Sequence, residues 1–343
     1  MSDAPDTSRY RRLVPAAIAS VVFVTALFLV LASAREDNLR DAVRQIDWRI
    51  IPLALSLHVA AHLFWAARFT IIAQAAKVPM GPMQSWAIIT AGVFGGAVTP
   101  GRIGGEGLKL ALLLKRVRAG PAGRLLVADR AADLVFFMLL GLVAVVLLPP
   151  LFGAEAAAAR GFALAGSIML GLFLVLLATF LWAPQRTSRF VERIVARACH
   201  LVRRDAPAIQ EHVHRFLEQA RAGMVDVLGR RPALAVMALA LTLLNWVVEY
   251  GAIWVLLRAF GHDVPYWSVF FVGIVLTMVA NIPLTPGGTG VAEVAALALL
   301  TPLAPNLSPL FVVLWRGLTY NYDLAVGGVT ASVLLGTRTH DKG

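Results

Sequence analysis

Cysteine is almost absent from this 343-residue chain, which contains Cys199 alone. A single cysteine excludes an internal disulfide framework and any metal site built from several thiolates. Charge is also scarce, because 15% of the residues are charged and 59% are hydrophobic. The mean hydropathy of +0.74 is too high for an ordinary soluble globular chain. These features predict an all-α polytopic membrane protein.

Acidic residues are the rarer charge, with 20 Asp and Glu against 31 Lys and Arg and a net charge of +11. An excess of this size can indicate nucleic acid binding. Here the basic residues gather in a few loops beside apolar segments, which is the positive-inside pattern of membrane proteins. We therefore expect membrane lipids with anionic headgroups as partners, and no nucleic acid. The sequence leaves open whether the chain forms a homo-oligomer or binds a partner protein from lipid biosynthesis.

Six apolar segments are long enough to cross a bilayer, at about 14–34, 50–74, 125–148, 161–183, 233–257 and 308–336. The first ends in a sequence like a signal-peptide cleavage site, but its apolar run exceeds the roughly 7–15 residues of an h-region, so we predict a retained helix. Residues 184–232 carry ten Arg against five acids and are predicted to be cytoplasmic. That segment is a helix packed on the membrane domain or an interfacial helix on anionic lipid.

Two pairs of shorter apolar pieces, at about 83–98 and 104–114 and again at 267–283 and 290–302, are each interrupted by Thr-Pro-Gly. Proline removes a backbone donor and glycine permits positive φ, so each interruption should break a helix. Within a bilayer such a break is tolerated only where protein or a water-filled cavity covers it. We interpret the two pairs as re-entrant helical hairpins. The simpler alternative is an ordinary loop between two helices.

The interruptions belong to a longer duplication. Four landmarks recur after 186 positions: Val78-Pro79 as Val264-Pro265, Thr99-Pro100-Gly101 as Thr285-Pro286-Gly287, Gly104 as Gly290 and Arg130 as Arg316. This offset predicts two repeats, 14–148 and 161–336, within a single membrane domain 1–343. Counting spans from a cytoplasmic N-terminus makes the repeats inverted and places both termini in the cytoplasm. The hairpins then enter from opposite faces and meet at a transport site near the midplane.

Ionisable residues inside membrane segments are costly, and they usually mark a pathway or pair with one another. Arginine suits phosphate, whereas carboxylates could bind an amine or carry protons. The structural alternative is that Glu106 pairs with Arg130 and Glu293 with Arg316, which would hold each half together. The candidate substrate-binding residues are Arg68, Arg102, Glu106, Lys109, Asp129, Arg130, Asp133, Glu249, Thr285, Gly287, Gly288, Glu293, Arg316, Tyr320 and Asp323.

His58 and His62 lie one helical turn apart and could form a metal pair. No third ligand is evident beside them, so we expect helix packing and water contacts instead. Because no set of acid, base and nucleophile has a persuasive spacing, we predict no catalytic residues, no metal, no cofactor and no enzymatic activity.

Three motifs resemble those of the lysylphosphatidylglycerol synthase transmembrane (flippase-like) family. They are Pro100-Gly101-Arg102-Ile103-Gly104-Gly105-Glu106 with Lys109, the stretch from Pro283 to Glu293, and Leu314-Trp315-Arg316 to Tyr320. The resemblance covers about residues 14–336. It implies a bacterial-type inner-membrane protein related to the lipid-flipping half of the aminoacyl-phosphatidylglycerol synthases, whose stand-alone members include some tied to hopanoid or lipid-linked sugar pathways. The extra Gly105 departs from the family motif, and a soluble aminoacyltransferase domain is absent, so lipid aminoacylation is not expected.

The sequence therefore predicts a translocase that moves an anionic phospholipid, or a polyprenyl- or hopanoid-type lipid, between leaflets by alternating access. In this prediction the headgroup binds Arg102, Arg130 and Arg316 in a polar cavity between the hairpins. Two alternatives remain. One is a secondary transporter for a small soluble anion, and the other is an intramembrane lipid-modifying transferase.

Overall fold

The computed structural model describes residues 39–99, 102–147, 232–282 and 285–336, together with Ile168, Gly171, Val175 and Thr179. The predicted spans at 14–34 and 161–183 lie wholly or mostly outside these residues, and so does nearly all of the basic segment 184–232. The described ranges form helices joined by short turns, without a β-strand among their elements. This confirms the all-α class.

The first half contains five described helices. They are α1 (Leu39–Gln45), α2 (Ile51–Ala75), α3 (Pro82–Ala97), α4 (Ile103–Leu114) and α5 (Ala119–Leu147). Helices α2, α3 and α4 agree with the predicted bounds to within one residue. The prediction that α5 begins at Leu125 was wrong, because the helix begins at Ala119. Gly120, Pro121 and Gly123 read as helix breakers, but proline in the first turn costs no intrahelical hydrogen bond.

The second half contains α6 (Pro232–Ala259), α7 (Tyr266–Ala280), α8 (Val291–Leu300), α9 (Pro309–Arg316) and α10 (Tyr322–Gly336). Helices α9 and α10 are joined without a gap by a π-helical turn, Gly317–Asn321. The predicted final helix at 308–336 therefore has the expected extent but an interruption in its middle. Single π-helical turns often accompany functional sites. The predicted end of the preceding hairpin helix at residue 283 was wrong, since α7 ends at Ala280.

Helices α2 and α6 are the two described helices that are both long and apolar enough to cross a membrane. They pack against each other in antiparallel directions. At one end, the backbone N–H of Asp47 donates to the carbonyl oxygen of Ala259 at 2.9 Å. Towards the other end, Arg68 Nη1 donates to Thr242 Oγ1 at 2.8 Å. The packing of α2 against α6 therefore joins the two halves of the chain along the length of both helices.

Each half has its own apolar core. Buried side chains of α2, α3, α4 and α5 form one cluster, which includes Phe69, Ile89 and Leu113. Side chains of α6, α7, α8 and α9 form most of the other, which includes Phe270 and Phe311. Each cluster also takes in side chains of the other half, Ala238 and Ala331 in the first and Phe136 and Ala144 in the second, so the two halves pack together through α2, α3, α6 and α10.

The hairpins α3–α4 and α7–α8 begin at opposite ends of α2. The first begins just after α2 ends, and Lys115, which follows it, donates from Nζ to the carbonyl oxygen of Leu334 at 3.0 Å. The second begins after α6 ends at Ala259, which contacts Asp47 at the other end of α2. A 25-residue helix is about 37 Å long. The hairpins therefore approach each other from the two ends of the helical bundle.

Small residues bring α3 and α4 into close contact. A Cβ atom on Gly95 would lie 2.7 Å from the carbonyl oxygen of Gly104, and one on Gly105 would lie 2.7 Å from that of Gly92. A Cβ on Gly92 would also meet the side chain of Lys109 at 2.5 Å. Gly105 therefore lies inside the contact between α3 and α4, where a larger residue would clash with the backbone of Gly92.

Candidate functional site

The two Thr-Pro-Gly breaks meet, as the duplication predicts. The backbone N–H of Gly287 donates to the carbonyl oxygen of Thr99 at 3.3 Å. Beside this contact, Tyr320 Oη donates to the carbonyl oxygen of Ala97 at 3.1 Å. Gly287 has a φ of +60°, and a Cβ there would lie 2.5 Å from the Tyr320 ring. Glycine is required at this contact because both the backbone conformation and the space exclude a side chain.

An open cavity lies beside the contact between the breaks. Its volume is about 890 Å³, including the space at its mouth. Side chains of both halves line it, and the central helices α2 and α6 form part of its wall. Six of the candidate residues from the sequence line this cavity: Arg102, Glu249, Gly287, Arg316, Tyr320 and Asp323.

Arg102 stands at the entrance to α4 in the left-handed region, with φ of +58°. Its side chain is exposed to the cavity. Among the described residues its guanidinium has no hydrogen bond or ion pair, although it is near enough to interact with the charges of Asp323 and Glu249. An arginine held in this way presents its forked donors to an anion that enters the cavity.

Arg316 is the second cationic side chain of the cavity. Its Nε donates to Glu293 Oε1 at 2.7 Å, and its guanidinium lies 4.7 Å from the Tyr320 ring centroid. Glu293 is buried, and its other oxygen accepts from the backbone N–H of Gly290 at 2.6 Å. Glu293 therefore orients Arg316 and caps α8. The predicted Arg316–Glu293 pair is confirmed.

Two histidines and two carboxylates form a third group on the cavity wall. His58 Nδ1 lies 2.9 Å from Glu249 Oε2, and His58 Nε2 lies 3.2 Å from Asp323 Oδ1. His62 Nε2 is 3.4 Å from the same Asp323 oxygen. All except Glu249 are buried. The sequence analysis expected no third group beside the histidines, and the structure supplies Asp323 from α10.

The other charged candidates form a network behind the cavity, in which Glu106 and Arg130 are partly exposed and the other members are buried. Arg68 Nε donates to Asp129 Oδ1 at 3.0 Å, and Arg68 Nη1 donates to Asp133 Oδ1 at 2.6 Å. Lys109 Nζ lies 2.8 Å from Glu106 Oε1 and 3.6 Å from Asp129. Glu106 also accepts from Arg130 Nε at 2.5 Å, which confirms the second predicted pair. These contacts join α2, α4 and α5, so the network supports the first half.

Two tryptophans separate this network from the cavity. Trp65 Nε1 donates to Asp129 Oδ2 at 3.2 Å, and Trp246 Nε1 lies 3.4 Å from Asp133 Oδ1. Both rings line the cavity. The indole N–H groups satisfy the buried carboxylates while the apolar rings face the open space.

The structure thus divides the fifteen candidates into groups. Six line the cavity, and the network behind it takes another six: Arg68, Glu106, Lys109, Asp129, Arg130 and Asp133. Glu293 supports Arg316. Gly288 and Thr285 belong to the second break outside the cavity lining, and the carbonyl oxygen of Gly288 lies 3.4 Å from Arg316 Nη2.

Sequence reasoning missed several cavity residues. His58 and His62 were set aside, although their one-turn spacing in a membrane segment was a usable signal. Trp65, Trp246 and Thr319 gave no signal, because aromatic and small polar residues are common in spans.

Comparison with known proteins gives the family. The family model of the lysylphosphatidylglycerol synthase TM region matches residues 16–327. A UPF0104 membrane protein of Archaeoglobus fulgidus is 23% identical over 327 residues, covering 93% of this chain and 96% of that protein. Another from Methanothermobacter thermautotrophicus is 24% identical over 338 residues, covering 95% and 97%.

No solved structure matches the chain. The family match spans the duplicated breaks, the paired charges and nearly all of the cavity residues described above. The all-α architecture with long apolar helices agrees with it. The chain therefore belongs to the family of the lysylphosphatidylglycerol synthase TM region and is a polytopic membrane protein.

Proposed function

We propose that this membrane protein is a translocase that carries a lipid with an anionic headgroup, a phospholipid or a polyprenyl- or hopanoid-type lipid, between the two leaflets. The observation that supports this most is Arg102, a cation at the meeting point of the two breaks whose side chain has no ion-pair partner among the described residues. A phosphate in the cavity would supply that partner.

Arg316 strengthens the same interpretation. It lines the cavity, and Glu293 engages its Nε while the carbonyl oxygen of Gly288 accepts from Nη2, so Nη1 is left to donate to a second oxygen of the anion. Arg130, which the sequence analysis placed with these two, does not line the cavity and pairs with Glu106. In our proposal Arg102 and Arg316 bind the headgroup, whereas Arg130 belongs to the scaffold.

The contact between the breaks suits alternating access. The described hydrogen bonds across it, Gly287 to Thr99 and Tyr320 to Ala97, are few and lie at 3.3 and 3.1 Å. Most of each apolar core comes from one half. Rocking of one half against the other would separate the tips, with the adjustment taken up where α2 and α3 pack on α6 and α10. The headgroup would then face first one side and then the other, while the lipid tails stay in the bilayer.

The proposal includes a location and an orientation. We place the protein in a bacterial-type inner membrane, with the hairpins re-entrant from opposite faces and both termini cytoplasmic. The approach of the hairpins from opposite ends of α2 supports this orientation. We also propose that transport involves no covalent change, so the lipid would be recovered unaltered.

Reconstitution tests the proposal. The full chain would be placed in liposomes with an anionic phospholipid carrying a fluorescent headgroup, and a membrane-impermeant quencher would report headgroups in the outer leaflet. We expect the protected inner-leaflet fraction to become accessible faster than in protein-free liposomes, with the lipid unchanged by mass spectrometry. Uptake of labelled inorganic phosphate without movement of the lipid would instead identify a transporter for soluble anions. A chemically altered lipid would indicate a transferase.

A further inference from the structure

His58 on α2 is held between two carboxylates from different helices. Its Nδ1 lies 3.0 and 2.9 Å from the two oxygens of Glu249 on α6. Its Nε2 lies 3.2 Å from Asp323 Oδ1 on α10. When Nδ1–H donates to Glu249, the neutral ring directs the lone pair of Nε2 towards a carboxylate oxygen. That arrangement requires either a proton between the two atoms, carried by the ring or by the Asp323 carboxyl group, or a metal ion.

The distances around Asp323 match the coordination shell of a metal. Ligand atoms at about 2.0–2.1 Å from a tetrahedral Zn²⁺ lie about 3.3 Å from one another. Asp323 Oδ1 is 3.2 Å from His58 Nε2 and 3.4 Å from His62 Nε2. The ligand atoms of the three residues all lie within 4.8 Å of one another. A small movement of one imidazole would bring all three ligand atoms to about this distance from one another.

We propose that His58, His62 and Asp323 form a binding site for a divalent transition-metal ion, with Zn²⁺ as the ion of best fit. Two neutral imidazoles and one carboxylate are typical zinc ligands, and a site with three protein ligands keeps a fourth position open. Glu249 is then the outer partner that fixes the His58 tautomer, as a carboxylate does behind many zinc-bound histidines. All three ligands are buried, which limits competition by water.

The open position faces the cavity that holds Arg102 and Arg316. Zn²⁺ would neutralise the charges of Glu249 and Asp323, and Arg102 would then leave the group with a net positive charge. A phosphate oxygen is therefore a suitable fourth ligand. This last step, in which the metal contacts the headgroup, rests on the proposed function, whereas the metal site itself does not.

Metal binding can be measured without lipid. The full chain would be purified in detergent, treated with a chelator, dialysed against Zn²⁺ and analysed for zinc per chain. We expect one Zn²⁺ per chain in the wild type and in the control His262→Ala, which alters a histidine in the turn between α6 and α7. Co²⁺ in place of Zn²⁺ should give the intense visible absorption of tetrahedral cobalt.

His62→Ala is the decisive variant, because His58 keeps its bonds to both carboxylates and the fold is least disturbed. Its affinity for Zn²⁺ should fall by more than 100-fold, beyond the loss of about 10- to 100-fold expected for the outer-partner variant Glu249→Gln. Thermal unfolding without metal would verify that the variants are folded.

Zinc retention by His62→Ala equal to that of the wild type would overturn the proposal. So would a wild type that holds no zinc, because a proton would then join His58 to Asp323 in place of a metal ion. Neither result depends on transport. A protein that binds Zn²⁺ but moves no lipid would uphold the site and refute the proposed function, and a zinc-free protein that moves lipid would do the reverse.

Discussion

Replacement of Arg102 by asparagine should reduce the rate of headgroup translocation by about 10- to 150-fold. The guanidinium is the unpaired cation of the cavity within the described part of the chain, and hydrogen bonds to a charged group contribute about 1.5–3 kcal/mol. Each 1.4 kcal/mol corresponds to a factor of about ten, which gives the expected range. Asparagine is chosen because Arg102 has positive φ, a conformation that asparagine tolerates. The loss then reports the missing charge rather than backbone strain.

The matched control is Arg258→Ala, which removes an arginine from the end of α6, outside the cavity. Arg258 pairs with Asp263 at 2.5 Å, and both side chains are exposed. Its translocation rate should equal that of the wild type. Equal rates for Arg102→Asn and the wild type, in protein that unfolds at the same temperature, would remove Arg102 from the mechanism and leave the proposal without its main support.

Arg68→Met should destabilise the protein by about 3–5 kcal/mol. The side chain of Arg68 is 1% exposed, and its guanidinium engages both Asp129 and Asp133. Removing one partner of a buried ion pair leaves an uncompensated charge, and here two carboxylates would lose their main cation. The free energy of unfolding in detergent, measured by titration with denaturant, would show the change.

Two comparisons separate the charge effect from the loss of a large side chain. The exposed Arg258→Ala control should cost about 0–1 kcal/mol, as surface ion pairs do. The combined variant Arg68→Met, Asp129→Asn and Asp133→Asn should recover much of the stability, because no buried carboxylate is left without its cation. A single Arg68→Met variant as stable as the wild type would contradict the view that this network supports the first half.

The long and intermediate helices were predictable because apolar runs and breakers mark their ends. The bounds of α2, α3 and α4 were predicted to within one residue. The start of α5 was not predicted, because Pro121 is usually a helix breaker. Here it stands in the first turn, where a backbone N–H would have no intrahelical acceptor. The π-helical turn after Arg316 was also missed. One extra residue in a turn leaves the apolar pattern of a continuous span almost unchanged.

The parts of the site that lie in duplicated segments could be predicted from the sequence. The shared offset gave the two Glu–Arg pairs and the meeting of the breaks, because each is duplicated along the chain. The cluster at His58 has no duplicate. Glu249 is 191 residues away and Asp323 is 265 residues away, so only packing of α2 against α6 and α10 brings them together. For the same reason, the sequence could not show which arginines are paired in the network and which face the cavity.

The central claim is that a lipid headgroup occupies the cavity where the two breaks meet. An anionic lipid with a photoreactive group on its headgroup, crosslinked to the reconstituted full chain and mapped by mass spectrometry, tests it most directly. We predict adducts on the cavity-lining residues His58, His62 and Trp65 of one half and Trp315, Thr319 and Tyr320 of the other, and their loss in Arg102→Asn. Adducts confined to side chains that are exposed on the outside of the described helices, such as Leu63 and Val329, would contradict it.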